Sequence, residues 1–489
     1  MTSATRADTA PVHGGIPFIA GKWESSRGGE TVEIRNPANG AALATVQLAS
    51  EVDVDRAVDA ARDIFEARTW VDTAPGDRAA VLDRAADYLE SQRDRAVDVL
   101  TSELGCPRSF ADRAHVPNPI RMIRYYAELI RTYPFDEIRG DSTLRSLVTQ
   151  TPVGVVGAVT PWNGPLSSPV LKVAPALAAG CSVVLKPAPE TPLSALMMAE
   201  AFEYAGLPAG ALSVLPAGRE VSEHLVRSPA VDKVGFTGST AAGKRIMALC
   251  AERVARVTLE LGGKSAAVIL DDSDLDAVVA KVVPMAMIVN GQLCISQSRI
   301  LAPRNRYKEI VDRLAAAVTA LRVGDPFDTD TDIGPLVSAA QRDRVEGYLS
   351  IGADEGARVI GGGRPTGEDN GYFVNPAVLA DVDNGMRVAR EEIFGPVIAI
   401  IPYDTEADAV RIANDSPYGL SGSVWSADTD RAVSVARRIR TGMVSINGNP
   451  QAFGTPFGGF KQSGIGREMG PEGLAAYLEK QSIALGPNM

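Results

Sequence analysis

Three polar residues of the chain are of types that together perform acyl-transfer chemistry. Cys294 lies in N-G-Q-L-C-I-S-Q-S-R (290–299), Glu260 follows the apolar run R-V-T-L, and Asn163 ends T-P-W-N (160–163). A cysteine thiolate can attack a carbonyl carbon, an amide can stabilise the resulting oxyanion, and a carboxylate can act as a base. Taken alone, Cys294 fits a small apolar residue of the core better than a nucleophile, so its role depends on what the chain places beside it.

Two further groups suit a nucleotide. Lys186 ends the apolar run S-V-V-L-K, and Ser239 lies in G-S-T-A-A-G-K (238–244), where small residues at a strand-to-helix turn would expose backbone N–H groups to a phosphate. The segment matches neither common phosphate motif. Arg245 stands where a Walker A loop has Ser or Thr, there is no clear Walker B partner, and the spacing G-x-G-x-x-G is absent from it. A dinucleotide beside the acyl-transfer residues is therefore favoured over a P-loop nucleotidase.

The chain has only three histidines, His13, His115 and His224. None lies near another or in a metal-ligand spacing, so we expect no metal site. A Cys–His catalytic pair would need one of these three residues. The base that serves Cys294 is therefore expected to be a carboxylate.

Short apolar runs separated by helix-like segments begin at Val153. They recur about every 20–30 residues, as the strands of a doubly wound parallel sheet do. The runs are 153–159, 182–186, 212–215, 233–238 and 256–261. Parallel sheets bind ligands at the carboxyl ends of their strands, where Asn163, Lys186 and Glu260 stand. A second alternating series, from 266 to about 460, predicts a second α/β domain.

Two segments outside these series also have clear patterns. Residues 51–133 show the apolar spacing of amphipathic helices. The sequence of residues 143–150 predicts a strand that has few partners within its own chain to pack against. Such a strand suggests a ribbon at an interface between subunits.

Length, charge and cysteine content exclude several classes of protein. A chain of 489 residues with 45% hydrophobic residues suggests two or three globular domains. A net charge of −11 argues against a nucleic-acid binder, and no apolar run is long enough for a signal peptide or a membrane span. The cysteines are widely spaced without a C-x-x-C pair, which favours reduced thiols in the cytoplasm. They are Cys106, Cys181, Cys250 and Cys294.

Five motifs occur in a recognisable order. They are P-W-N (161–163), L-E-L-G-G-K-S (259–265), G-Q-L-C (291–294), E-E-I-F-G-P-V (391–397) and P-F-G-G-F-K-Q-S-G-I-G-R-E (456–468). Through them the sequence resembles the NAD(P)-dependent aldehyde dehydrogenase superfamily from about residue 17 to 485, and within it the hydrolytic type that does not acylate coenzyme A. The resemblance implies oxidation of an aldehyde to the carboxylic acid with reduction of NAD, and we hypothesise that NADP is also used.

The resemblance also implies an architecture. A doubly wound, Rossmann-like NAD(P)-binding domain would comprise residues 1–133 and 153–262, and a second α/β domain, the catalytic one, residues 263–463. A small β ribbon from 134–152 and 464–489 would join subunits into a homodimer or homotetramer. The strand near the C-terminus would add to a neighbour's sheet.

Catalytic roles are implied residue by residue. Cys294 matches the nucleophile of the family, and Glu260 matches the general base that activates water to hydrolyse the thioester. Asn163 matches the amide that forms the oxyanion hole with the backbone N–H of Cys294. Lys172 matches a lysine with a supporting catalytic role.

Cofactor contacts are implied in the same way. Lys186 matches the residue at the adenosine ribose and Ser239 the one at the pyrophosphate, while Glu392 and Phe394 match the pair at the nicotinamide ribose and ring. The remaining expected contacts are Thr160, Pro161, Trp162, Gly218, Phe236, Gly238, Leu261 and Gly262.

The chain departs from the family pattern beside the expected ribose site. Pro189 stands where many NAD-preferring members carry a glutamate, and the glutamate of this chain, Glu190, lies one position further along the sequence. A carboxylate at 189 would repel the 2′-phosphate of NADP, so its absence predicts weaker discrimination between the two cofactors.

A second departure concerns the expected substrate channel. Gly164 replaces an aromatic residue, and Leu171 stands where some members place tryptophan. Together with the aliphatic neighbours of Cys294, these residues predict a wide channel for hydrophobic or bulky aldehydes. The aliphatic neighbours are Ile288, Leu293 and Ile295.

Other functions stay open. A coenzyme A-acylating or a semialdehyde-type dehydrogenase would share the motifs, although Glu260 favours hydrolysis because acylating members generally lack that base. A non-catalytic structural protein with the same fold is the alternative from another class, and the presence of Cys294, Glu260 and Asn163 argues against it.

Overall fold

Two large β-sheets, each covered by helices on both faces, organise the chain. The computed structural model describes residues 10–367 and 370–486. Residues 1–9 and 487–489, at the ends of two of the expected domain segments, lie outside the described residues, as does most of the N-terminal stretch in which no signal peptide was expected.

Most of the strands are short, and the first of them lies near the N-terminus. They are β1 Phe18–Ile19, β2 Lys22–Trp23, β3 Thr31–Arg35, β4 Ala42–Gln47, β5 Asp136–Gly140, β6 Arg145–Pro152, β7 Val155–Val159, β8 Ser182–Lys186, β9 Leu212–Val214, β10 Lys233–Thr237, β11 Arg256–Glu260, β12 Ala266–Ile269, β13 Arg299–Pro303, β14 Arg358–Gly361, β15 Ala377–Ala380, β16 Val397–Tyr403, β17 Gly422–Trp425, β18 Ser445–Ile446, β19 Gly464–Ile465 and β20 Leu478–Leu485.

The helices include the predicted helical segment 51–133, which is confirmed. They are α1 Glu51–Glu66, α2 Pro75–Ser91, α3 Arg93–Leu104, α4 Arg108–Phe110, α5 Pro117–Thr132, α6 Ser167–Ala179, α7 Leu193–Tyr204, α8 Arg219–Arg227, α9 Thr240–Ala251, α10 Leu275–Met287, α11 Tyr307–Thr319, α12 Ala339–Asp354, α13 Arg387–Arg390, α14 Glu406–Asn414, α15 Thr429–Ala436 and α16 Gly470–Ala475. A π-helical turn, Ala111–His115, joins α4 to α5.

The first sheet has the strand order β19-β11-β10-β7-β8-β9-β1-β2. Its five central strands, β7 to β11, are parallel and coincide with the five apolar runs, so that prediction is confirmed. Helices α2, α5, α6 and α7 pack on one face, and α1, α8 and α9 pack on the other. Because both faces are covered, β7 and β8 are buried along their whole length, which explains their continuous apolar sequence.

The second sheet has the order β14-β15-β16-β13-β12-β17-β18 and is parallel except for β14. Helices α10 and α11 pack on one face, and α12, α14 and α15 pack on the other. The predicted second α/β series is therefore confirmed. Cys294 lies five residues before β13, at the amino-terminal edge of this sheet.

A third sheet, with order β20-β6-β5, is built from the segments expected to form the ribbon. The predicted strands at 143–150 and near the C-terminus are both present, and they pair with each other in antiparallel fashion within the chain. Addition to a neighbour's sheet stays a prediction. The C-terminal segment also contributes β19, which pairs with β11 beside Glu260.

No helix among the described residues is both long and apolar enough to cross a membrane.

Candidate active site

A cleft of about 770 Å³ opens at the carboxyl ends of the parallel strands of the first sheet. Asn163 and Glu260 come from this sheet, and Cys294 comes from the loop before β13 of the second. All twelve expected cofactor contacts lie in its wall as well: Thr160, Pro161, Trp162, Lys186, Gly218, Phe236, Gly238, Ser239, Leu261, Gly262, Glu392 and Phe394. The structure thus brings together the expected catalytic and cofactor residues except Lys172, and no described histidine is among the wall residues.

The loop that carries Cys294 is held against the first sheet by close backbone contacts. The side-chain amide of Asn163 donates to the carbonyl oxygen of Gln292, at 2.9 Å, which orients its nitrogen toward the Cys294 loop. A Cβ atom at Gly263 would lie 2.4 Å from the carbonyl oxygen of Cys294, so only glycine fits there. The L-G-G-K-S motif therefore sets the distance between the two sheets at the site.

The thiol of Cys294 is half-buried at the cleft wall. Burial raises its pKa above the ordinary value for cysteine, and the nearby carboxyls of Glu392 and Glu260 raise it further. The uncharged thiol is therefore the resting form in the protein without a ligand. Nucleophilic attack requires the thiolate, so the site must favour ionisation once it is occupied.

Glu260 holds a buried carboxyl group at the end of β11. Its side chain is 2% exposed, and neither oxygen has a hydrogen-bond partner among the described residues. Burial raises the pKa of Glu260 well above its ordinary value, and Glu468 raises it further, while Lys172 and Arg467 act in the opposite direction. A carboxylate without partners and with raised basicity is suited to accept a proton from water.

Lys172 lies behind the cleft rather than in its wall. It is fully buried on α6, and its ammonium group donates to the carboxylate of Glu468, at 2.8 Å, and to the hydroxyl of Thr237, at 2.5 Å. Sequence reasoning missed Glu468, although it ends the quoted motif G-I-G-R-E. Lys172 and Glu468 both act on the carboxyl group of Glu260 through charge, and neither lies in the cleft wall.

The nucleotide part of the cleft presents groups suited to an anion. Ser239 caps α9, its hydroxyl accepting from the backbone N–H of Ala242 at 3.3 Å, so the predicted helix N-terminus at this segment is confirmed. Lys186 is 7% exposed, and burial lowers its pKa to about 8 against the opposing effect of Glu190. The hydroxyl of Thr160 is buried in the same wall without a hydrogen-bond partner among the described residues.

The segment that carries Glu392 and Phe394 faces the first sheet across the cleft. The backbone N–H of Gly263 donates to the carboxylate of Glu392 at 3.0 Å. The ring of Phe394 stands edge-on to that of Trp162, with centroids 5.4 Å apart. These contacts hold the segment at the junction of the two sheets.

Two residues of α12 support this segment and were missed in the sequence. Gln341 donates to the carbonyl oxygen of Phe394, and Arg344 donates to that of Glu392, each at 2.6 Å. Both side chains also lie in the cleft wall. No motif pointed to them, because α12 comes some 50 residues before the segment that it supports.

Pro189 and Glu190 lie in the cleft wall near Lys186, as the resemblance implied. The four aliphatic residues expected to line the substrate channel are half-buried and, like the buried Gly164, lie outside this wall. Three of them, Leu171, Ile288 and Leu293, pack against the core of the first sheet, and Ile295 is the fourth. The channel itself stays a prediction.

The fold and the cleft are those of an α/β protein in which a cysteine, an amide and a carboxyl group lie in the wall of one cleft, at the carboxyl ends of a parallel sheet. The model of the aldehyde dehydrogenase family matches residues 23–483, and the chain belongs to that family. Geranial dehydrogenase of Castellaniella defragrans is 46% identical over 469 residues, which is 96% of this chain and 98% of the relative. The family resemblance and the fold class predicted from the sequence are both confirmed.

Two solved structures are similar along nearly the whole chain. An aldehyde dehydrogenase of Mycobacterium tuberculosis in complex with NAD+ is 47% identical, with a TM-score of 0.95, over 97% of this chain and 99% of the other. Aldehyde dehydrogenase C of Pseudomonas syringae, a mutant in complex with NAD+ and octanal, is 38% identical, with a TM-score of 0.94, over 97% of each chain.

Replacement of Glu468 by glutamine tests how the buried pair tunes Glu260. As the expected base, Glu260 would act only when it is ionised, so activity would fall as the pH falls through its pKa. Because Glu468 raises that pKa, and because its loss also frees the charge of Lys172, we expect Glu468→Gln to move the acid limb of the kcat–pH profile down by roughly one pH unit.

Glu472→Gln is the matched control, since Glu472 is exposed on the same C-terminal segment and is not among the charges that act on Glu260. An unmoved acid limb in Glu468→Gln, measured by steady-state kinetics between pH 5 and 9, would contradict the proposed coupling.

Proposed function

We propose that the protein oxidises an aldehyde to the carboxylic acid with NAD+, through a thioester on Cys294 that is hydrolysed by water. The observation that carries the proposal is the meeting of Cys294, Asn163 and Glu260 in one cleft with the nucleotide-binding groups. These residues provide a nucleophile, an oxyanion donor and a base.

The residues of the cleft fit a dinucleotide. The N-terminus of α9 and the ammonium group of Lys186 suit a pyrophosphate and a ribose, and the buried hydroxyl of Thr160 has no hydrogen-bond partner in the part of the chain that the structure describes. A Cβ atom at Gly218 would meet no other atom within 4 Å, so the wall is open there. These residues would hold NAD+, which would supply the hydride acceptor for the oxidation.

Cys294 forms the covalent bond to the substrate. Its thiolate attacks the aldehyde carbon, and the side-chain amide of Asn163 and the backbone N–H of Cys294 hold the oxygen as it becomes negative. One such donor typically lowers the barrier by about 3–4 kcal/mol. The hydrogen bond from Asn163 to Gln292 supports this role, because it leaves the second N–H of the amide available.

Glu260 completes the reaction by hydrolysis. Neither carboxylate oxygen has a hydrogen-bond partner among the described residues, so the group is available to take a proton from water attacking the thioester. Its raised pKa makes it a stronger base than an exposed glutamate. This supports an acid-forming enzyme over the coenzyme A-acylating alternative and over a structural protein without catalysis.

The substrate is proposed to be a hydrophobic aldehyde. Ile288, Leu293 and Ile295 lie close to Cys294 in the sequence, and Leu171 packs against the same core as Ile288 and Leu293. The similarity to a geranial dehydrogenase and to an enzyme solved with octanal supports the same class. A semialdehyde substrate is the alternative.

The remaining parts of the proposal concern the domains, the oligomeric state and the cellular compartment. The first sheet, with residues up to about 133 and 153–262, would form the cofactor domain, and the second sheet, in 263–463, the catalytic domain. The open edges of the third sheet, β5 and β20, support a homodimer or homotetramer. The four cysteines are free thiols, which supports a reducing compartment such as the cytoplasm.

Paired variants separate the roles of nucleophile and base. We expect Cys294→Ala to form no NADH, because no covalent adduct can form. Glu260→Gln should release a burst of about one NADH per subunit and then turn over roughly 10²–10⁴-fold more slowly, since the thioester forms but water is not activated. Stopped-flow absorbance at the NADH band measures both effects.

Cys250→Ala is the control for thiol loss, because Cys250 is a buried cysteine of α9 outside the cleft wall. It should retain wild-type turnover. NADH formation by Cys294→Ala at the wild-type rate would overturn the proposed function.

Pro189→Glu tests cofactor discrimination. A carboxylate at this point of the wall would repel the 2′-phosphate of NADP and could accept hydrogen bonds from the ribose hydroxyls of NAD. We expect the wild type to use both cofactors, and the variant to lose at least about tenfold in kcat/KM for NADP while keeping that for NAD.

Glu190→Gln is the companion variant, since it removes the neighbouring carboxylate and should not reduce the use of NADP. A strict preference of the wild type for NAD would contradict this part of the proposal.

A panel of straight-chain aldehydes tests the substrate class. We expect kcat/KM to rise by about fourfold for each added CH₂ until the channel is filled, because each buried methylene contributes about 0.8 kcal/mol. Leu171→Trp should reduce kcat/KM for long and branched aldehydes and spare acetaldehyde. Acetaldehyde as the best substrate would refute the hydrophobic channel, and a preference for carboxylate-bearing aldehydes would favour the semialdehyde alternative.

A further inference from the structure

The loop before Cys294 contains three consecutive residues in the left-handed conformation. The φ and ψ angles are 52° and 44° at Val289 and 58° and 33° at Asn290, and φ is 74° at Gly291. Glycine and asparagine adopt this conformation readily, but a β-branched residue does so rarely. The turn is therefore not favoured by its own sequence and must be held by its surroundings.

The side-chain amide of Asn290 ties this turn to two other parts of the chain. Its nitrogen donates to the carbonyl oxygen of Gly105, at 3.0 Å, and to that of Pro335, at 2.8 Å. Its oxygen accepts from the backbone N–H of Gly334 at 2.9 Å. Asn290 is 1% exposed, so these bonds form away from solvent, where losing a partner leaves buried polar groups unsatisfied.

Backbone contacts leave the turn little freedom to shift. A Cβ atom at Gly334 would lie 2.0 Å from the carbonyl oxygen of Gly105, and one at Gly291 would lie 2.1 Å from that of Gly395. The turn is thus enclosed by the end of α3, the 334–335 loop and the segment that follows Phe394.

The turn leads directly into the reacting groups. Gln292, which is fully buried, accepts from the backbone N–H of Val337 through its side chain, at 3.1 Å. Its carbonyl oxygen accepts from Asn163 at 2.9 Å, and Cys294 follows two residues later. The direction in which the chain leaves the turn therefore sets both the orientation of the Asn163 amide and the position of the Cys294 thiol and N–H.

We propose that Asn290 is a positioning residue for the reaction: its three hydrogen bonds hold the left-handed turn that presents Cys294 to the cleft and the Gln292 carbonyl to Asn163. The inference rests on the proposed role of Cys294 as the nucleophile. It adds a residue that touches neither substrate nor cofactor.

Three substitutions divide the contribution of the side chain into parts. Asn290→Gly keeps the freedom to adopt a positive φ and removes all three hydrogen bonds. Asn290→Asp keeps an acceptor for the N–H of Gly334 but cannot donate to the two carbonyl oxygens. Asn290→Ala removes the bonds and also disfavours the left-handed backbone.

We expect single-turnover NADH formation to fall by about 100-fold in Asn290→Ala, as a misplacement of about 1 Å can cause, and less in Asn290→Gly. The dissociation constant for NAD+, from fluorescence titration, should stay near the wild-type value, because Asn290 does not line the cleft. A loss of chemistry without a loss of cofactor binding is the signature of positioning.

Asn447→Ala is the matched control. Asn447 is also left-handed, with φ 53°, and its amide likewise bridges another loop through two 3.0 Å bonds with the backbone of Ser426. It follows β18 at the carboxyl edge of the second sheet, the edge opposite to Cys294. We expect a comparable fall in Tm and a wild-type rate of NADH formation.

The inference is overturned if the Asn290 variants form NADH at the wild-type rate, or if they lose no more than Asn447→Ala at an equal loss of Tm. Should Asn290→Ala not fold, Asn290→Gly and Asn290→Asp decide the question by the same measurements. Failure of the proposed function looks different, because Cys294→Ala would then remain active whatever the Asn290 variants do.

Discussion

The buried carboxyl group of Glu260 is the constraint on which the rest of the site depends. Moving an unpaired carboxylate out of water is unfavourable, so such a group becomes neutral unless cations oppose the effect of burial. Lys172 and Arg467 are these cations, and Glu468 limits the effect of Lys172 by pairing with it. The C-terminal segment can approach the carboxyl group so closely because Gly458 and Gly464 have no side chains. The balance leaves a carboxyl group with a raised pKa and no hydrogen-bond partner among the described residues.

A second constraint is that the reacting groups come from two sheets that must meet accurately. Gly263 permits the loop of Cys294 to approach the first sheet, and the bond from Asn163 to Gln292 joins the two sides. On the other wall, α12 holds the segment of Glu392 and Phe394 through Gln341 and Arg344. The precision of the cleft thus comes from backbone contacts and from side chains that donate to backbone carbonyls.

Much of the architecture could be predicted because it follows from local patterns of apolar and polar residues in the sequence. The five central strands of the first sheet are continuous apolar runs. A strand that is covered by helices on both faces needs apolar side chains on both of its sides. The cleft residues were found because parallel strands bring their carboxyl ends to one edge, and because the motifs of the family occur in order. Gln341 and Arg344 carried no comparable signal, and the motif that ends in Glu468 gave no sign of its pairing with Lys172, since these residues act on segments distant in sequence.

The sequence by itself determined the five central strands of the first sheet, the helical segment 51–133, the family and most of the cleft residues, because these depend on periodicity, on strand ends and on short motifs. Only the tertiary structure decided that Lys172 stands behind the base rather than in the cleft, since its partner Glu468 lies 296 residues further along the chain. It also decided the left-handed turn before Cys294, which runs against the preference of Val289 and depends on contacts that Asn290 makes with distant loops. Local sequence sets which conformations are favourable, whereas contacts between distant segments select the conformation that is adopted.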